Sequence, residues 1–237
     1  MRASNAHYEV AKWYVRQSNC KVVMPDYRLM PAYKYPVAIA DCYNTYLWVL
    51  KHAGDLSVDK ERIILTGDSA GGNIAGAVTA MSKDKGDPIP KGLMMIYPVL
   101  DKRMKTESMK RFTDTPIWDS RCTKLFWDMY LKDVDADRAK YASISEAKDI
   151  SFFPDTYVEA AEFDCLHDEG IAFAKRLQSE GVAVEVHDIK GACHGYEAVW
   201  KSNLVATCMQ RRIRWINNLW ETNVTPIQGR SKSFNGR

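Results

Sequence analysis

The chain has 237 residues, 46% of them apolar, which is enough for one sizeable core and too few for two comfortable domains. Its 33 basic and 30 acidic side chains leave a net charge of +3, and no long basic run marks a nucleic-acid face. No apolar stretch approaches the roughly 18 residues that a membrane helix needs, the polar opening MRASNAHYEV has no signal-peptide core, and six scattered cysteines without a CxxC pair fit a reducing, cytoplasmic setting better than a zinc or disulfide framework.

Helical and strand patterns alternate along the chain. Residues 5 to 19 place Val10, Trp13, Tyr14 and Arg16 at helical spacing. KVVMPDY, residues 21 to 27, is a short apolar run suited to a buried strand. Pro36 opens a long amphipathic helix with Ile39, Cys42, Tyr43, Tyr46, Leu47 and Leu50 near one stripe. RIILTGD, residues 62 to 68, reads as a strand, and GGNIAGAVTAMSK as a small-residue helix able to pack closely on a sheet. GLMMIYPVL and TYVEAAEF read as buried strands, a helix is expected from about 169 to 180, and VAVEVHDI is a further strand. The last helix, about 198 to 220, carries Leu204, Val205, Cys208, Met209, Trp215, Ile216 and Leu219. This order implies a mostly parallel sheet with helices on both faces.

Residues 102 to 150 break the rhythm. They are charged, bear Met and Trp, and are expected to form a helical cap above the sheet. The domain plan is therefore one α/β unit over residues 1 to 222, with 102 to 150 as an insertion, and a polar, basic, frayed tail over 223 to 237. Asn223-Val-Thr is a glycosylation sequon by pattern only.

The strongest motif is Gly67-Asp68-Ser69-Ala70-Gly71, a GxSxG pentapeptide between a strand and a small-residue helix. A sharp turn there strains the serine backbone and exposes its hydroxyl, and the flanking glycines keep side chains from colliding. The helix N-terminus offers N–H groups where an oxyanion would form, with Ala70 N–H as the natural first donor. The blander alternative is that Ser69 only caps the helix.

A serine needs a base. Of the histidines at 7, 52, 167, 187 and 194, His7 and His52 fall within predicted helices at the surface and His187 on a predicted strand. His194 lies in the glycine-flanked loop Gly191-Ala-Cys-His-Gly-Tyr after the last strand, at the carboxyl edge where the sites of such sheets gather. The orienting carboxylate should follow the preceding strand. Asp164 comes first there, with Asp168 the runner-up, while Asp168 and Glu169 also suit the first turn of the next helix. The order Ser69, Asp164, His194 is that of an α/β-hydrolase.

Four stretches resemble the hormone-sensitive-lipase branch of the α/β-hydrolases, which includes arylacetamide deacetylase and bacterial esterases. Asp26-Tyr27-Arg28-Leu29-Met-Pro31, with Tyr35-Pro36-Val-Ala38 and Asp41, resembles its YRLAPE block. Gly67 through Asn73 resembles its GDSAGGN elbow, Asp164 through Gly170 its DPLxDEG segment, and His194-Gly195-Tyr196 its HGF. The resemblance implies an N-terminally incomplete α/β-hydrolase that hydrolyses carboxylic esters of short to medium acyl chains through Ser69, His194 and Asp164, with no metal and no cofactor. Asp68, Trp118, Phe126 and Trp127 are candidate substrate-binding residues, although the aromatic residues of the insertion, with Met129 and Tyr130, fit its own core better. The expected partner is a small-molecule ester, with no nucleic acid and no membrane span; a homo-oligomer is left open.

Three departures stand out. Ala32 replaces a frequent Glu, Cys165 replaces a usual Pro, and the family's HGGG oxyanion loop does not occur in these residues. Losing one oxyanion donor costs on the order of 3 kcal/mol. The expectation is that Met1 is an internal methionine of a longer protein whose upstream strands are absent here. One of them normally lies between VVMPDY and IILTG, so a gap must be closed by direct pairing, by another chain or by rearrangement. A binding protein on a hydrolase scaffold, a serine peptidase of the same fold and a truncated, non-functional gene product are the competing readings.

Overall fold

A computed structural model describes residues 3–135 and 139–221; the 223–237 tail and its sequon lie outside them. Four strands, β1 (Ile64–Asp68), β2 (Gly92–Ile96), β3 (Asp155–Phe163) and β4 (Val184–Cys193), form one all-parallel sheet in chain order. Parallel neighbours need long crossovers. Helix α3 (Ala70–Lys85) links β1 to β2, and α6 (His167–Ser179) links β3 to β4. Between β2 and β3 the described chain passes through α4 (Glu107–Arg111), α5 (Ser120–Tyr130) and a 3-10 turn at Ile144–Glu146. Helices α1 (Asn5–Ser18), α2 (Val37–Lys51) and α7 (Asn203–Glu221) complete the fold.

The β2 run Gly-Leu-Met-Met-Ile is buried throughout, and its alternation serves two cores. Leu93 and Met95 join Ala75, Phe173 and Leu177 from α3 and α6. Met94 and Ile96 face the other way, onto Tyr14 of α1 and Val205, Met209, Trp215 and Ile216 of α7. On α2, Ile39, Tyr43, Tyr46 and Leu50 meet Ile74, Ala77, Val78 and Met81 of α3 in a third core, which also takes in Trp127 and Tyr130 of α5.

Several expectations need correction. KVVMPDY is not a strand. Its Val22, Val23 and Met24 are 36%, 46% and 40% exposed, and β1 is the sheet edge among the described residues. An apolar run becomes a strand only beside a partner for its backbone groups, and no described strand lies next to it, so direct pairing does not close the expected gap. The strand within GLMMIYPVL stops at Ile96, because Tyr97 turns with φ 33° and Pro98 has no N–H for a ladder. Residues 198 to 202 do not belong to the α-helix: a 3-10 turn at Tyr196–Val199 precedes α7, which starts at Asn203. Arg16 is exposed rather than on the buried stripe of α1.

Candidate active site

The strand β1 passes into α3 through Ser69 alone, whose backbone sits at φ 54° and ψ −121°, a region that non-glycine residues avoid unless their surroundings enforce it. Three backbone hydrogen bonds hold the turn: Ser69 N–H donates to the Ile96 carbonyl at 2.8 Å, and Gly72 N–H and Val99 N–H each donate to the Ser69 carbonyl at 3.1 Å. The glycines contribute unequally. A Cβ on Gly67 would lie 2.2 Å from the Gly71 carbonyl carbon, whereas one on Gly71 would meet nothing within 4 Å. Gly67 is thus the residue the turn cannot exchange. Gly72, one position later, faces Pro98 in the same way, at 2.7 Å.

Ser69 occupies the cap position of α3, yet its side chain makes no capping bond. Its Oγ lies instead 3.0 Å from His194 Nε2, and His194 Nδ1 lies 2.7 Å from Asp164 Oδ2. The three side chains come from the carboxyl ends of β1, β4 and β3. His194 is 5% exposed and Asp164 0%. The second carboxylate oxygen of Asp164 accepts the Leu166 N–H at 3.0 Å, which fixes its plane. Asp168 faces elsewhere, taking the Ser108 N–H at 2.8 Å and lying 2.8 Å from His167 Nδ1. Ala70 is the first residue of α3.

The other candidate residues separate. Trp118 lies against the imidazole, with ring centroids 5.9 Å apart, and its indole N–H donates to Thr123. Trp127 is 5% exposed in the core beside α2. Phe126 stacks on Tyr130 at 5.2 Å and edges onto Trp127. Both therefore pack into the core that α5 shares with α2 and α3, not into a separate core of the insertion. Asp68 is paired across the surface with His7 of α1 at 3.3 Å, both side chains 40% exposed. The Asp68 side chain raises the His7 imidazole above its ordinary value. His52 ends α2, stacked on Trp48, and His187 is held by Glu185 on β4.

Sequence reasoning missed the other face of the site. Tyr97 packs its ring on His194 at 4.7 Å, and its hydroxyl donates to Glu197 at 2.5 Å. Glu169 is 3% exposed and receives the Leu100 N–H at 2.6 Å; burial holds its carboxyl well above the usual range. Behind these lies Arg212, 1% exposed and joined to Glu159 and Glu197. A signal existed. Arg212 falls on the apolar stripe of α7, three and four residues from Met209, Cys208, Trp215 and Ile216, and Glu159 interrupts an apolar strand.

A parallel sheet, a strained serine between strand and helix, and a histidine and an acid on later loops define an α/β-hydrolase architecture. A family described as alpha/beta hydrolase fold matches residues 1–198, and the chain belongs to that family. Among its relatives is Esterase LipI of Mycobacterium tuberculosis, 33% identical over 176 residues, which cover 74% of this chain and 55% of that protein. A solved bacterial heroin esterase shares 35% identity at a TM-score of 0.78, over 81% of this chain and 62% of the other. Esterase LipW from Mycobacterium marinum superposes with a TM-score of 0.86 at 27% identity, over 90% and 67%. The chain spans little more than half the length of the first curated relatives it matches, 55% and 53%.

Proposed function

We propose that this chain carries the nucleophile, base and acid of a serine carboxylic-ester hydrolase acting on small esters of short to medium acyl chains. The observation that carries the reading is the continuous path Ser69 Oγ to His194 Nε2 at 3.0 Å and His194 Nδ1 to Asp164 at 2.7 Å. His194 takes the Ser69 proton as Oγ attacks the ester carbonyl, and the tetrahedral oxyanion faces the N-terminus of α3, where Ala70 N–H donates to it. The buried Asp164 carboxylate holds the imidazole tautomer and stabilises the imidazolium. Collapse expels the alcohol, which takes the proton from His194 and leaves an acyl-serine. Water then repeats the sequence, giving the carboxylic acid and free Ser69.

Residues 102 to 150 act as the cap of a single domain over 1 to 222, with Trp118 as the wall nearest the imidazole. The ester is the partner, and the compartment is cytoplasmic, a reading supported by six free cysteines. The test is pre-steady-state release of nitrophenol from p-nitrophenyl acetate. The wild type gives a burst stoichiometric with protein, and Ser69→Ala gives none. Equal traces from both would refute the assignment. A non-catalytic binder would retain ester binding with no burst in either.

A further inference from the structure

Five residues, Arg212, Glu159, Glu197, Tyr196 and Tyr157, hold a polar cluster on the far side of Tyr97 from the triad. Arg212 Nη2 donates to Glu197 Oε1 at 2.6 Å and to the Tyr196 hydroxyl at 2.7 Å. Its Nε donates to Glu159 Oε1 at 3.0 Å, and Nη2 also reaches Glu159 Oε2. The Tyr196 hydroxyl donates to Glu159, and the Tyr157 hydroxyl reaches the same carboxylate at 2.6 Å. Arg212, Glu159 and Glu197 are 1%, 0% and 6% exposed. A cluster this dry holds its geometry, because a misplaced charge finds no water to replace the lost partner.

Its attachment points matter more than its burial. Tyr196 and Glu197 are the second and third residues after His194, and Glu159 lies five residues before Asp164 on β3. Glu197 also receives the Tyr97 hydroxyl, and the Tyr97 ring lies 4.7 Å from the imidazole. Tyr97 N–H in turn donates to the Glu159 carbonyl at 2.7 Å. One guanidinium fork therefore ties the strand that bears the acid, the ring that backs the base and the turn that carries the base. An isolated point charge could not bridge three acceptors in fixed directions.

We propose that Arg212 is a positioning residue: through Glu197, Tyr196 and Glu159 it fixes the His194 turn so that the imidazole meets Ser69 and Asp164 together. The inference rests on the esterase reading for its kinetic test and has a second readout that does not. Arg212→Lys keeps the charge and loses the fork. Glu197→Gln keeps the shape and loses the charge that the fork grips. Val205→Ala truncates the same apolar core and removes none of the cluster's hydrogen-bonding groups, as a stability control.

The experiment uses the whole chain. With p-nitrophenyl acetate, Arg212→Lys and Glu197→Gln lower kcat about 100-fold, the cost of a displacement near 1 Å, while KM stays within about twofold. The low-field proton resonance of His194 Nδ1–H, assigned by its loss in His194→Gln, broadens away in both variants and persists in Val205→Ala. Folded variants with wild-type kcat and an intact resonance would overturn the proposal, and so would an equal loss in Val205→Ala. If Arg212→Lys does not fold, Glu197→Gln decides alone. A wild type that shows the resonance but hydrolyses no ester refutes the esterase reading, and loss of the resonance in Glu197→Gln then still supports the positioning role.

Discussion

Two buried polar centres lie on opposite sides of Tyr97, and they differ in what each asks of its residues. The front one, Ser69, His194 and Asp164, is built at three strand ends, where turns free side chains to meet. The back one, Arg212 with Glu159 and Glu197, is built from the interior of a strand, a helix and a short turn. The front centre stays partly open at Ser69, whereas the back one is sealed. The contrast separates chemistry from support: losses at the front should appear in rate, and losses at the back in stability first and in rate through geometry.

The largest expected effect is at the front. Asp164→Asn should lower kcat about 10⁴-fold, because the imidazole adopts the wrong tautomer, with a small change in the unfolding midpoint. Steady-state kinetics and denaturant titration on one preparation check both halves. Next, Arg212→Ala should destabilise the fold by about 3–5 kcal/mol, since two buried carboxylates lose their cation. Burial by itself would raise the Glu159 carboxyl, but Arg212, Tyr157 and Tyr196 outweigh it and hold it below the ordinary range. Stability from Glu159 is therefore present above the ordinary glutamate value and lost as pH falls through the lowered one. A chemical-denaturation series in acid should show that loss in the wild type and not in Arg212→Ala.

Trp118→Ala, which removes the ring beside the imidazole, should change the preference between acetyl and butyryl esters about tenfold, measured as a ratio of kcat/KM. The smallest effect is at Glu169. Its raised carboxyl favours folding fully below the ordinary value of 4.5, and this contribution is lost as pH rises from there toward the folded value. Glu169→Gln keeps an acceptor for Leu100 N–H and should flatten this part of the stability profile. A variant curve parallel to the wild type would show that Glu169 does not titrate there.

These two centres also mark what was legible in the sequence. The meeting of Ser69, His194 and Asp164 could be read because its signals are local: a strained turn needs Gly67, and His194 sits in a loop after a strand. The reading of Gly71 was half right, since its backbone fills the space that a Gly67 side chain would need. The Arg212 cluster joins residues 16 and 53 positions apart, and no short motif spans that distance. KVVMPDY failed for a related reason: apolar composition favours burial, but pairing depends on a neighbour that the run itself does not encode. Phe126 and Trp127 carry no mark that distinguishes a pocket wall from a core, and the structure puts both in a core.

The most direct measurement is the intact mass of the chain after exposure to a fluorophosphonate. The relay described here predicts a single phosphonyl adduct on Ser69 in the wild type and none in His194→Gln. An unlabelled wild type, or equal labelling of the two proteins, would contradict it.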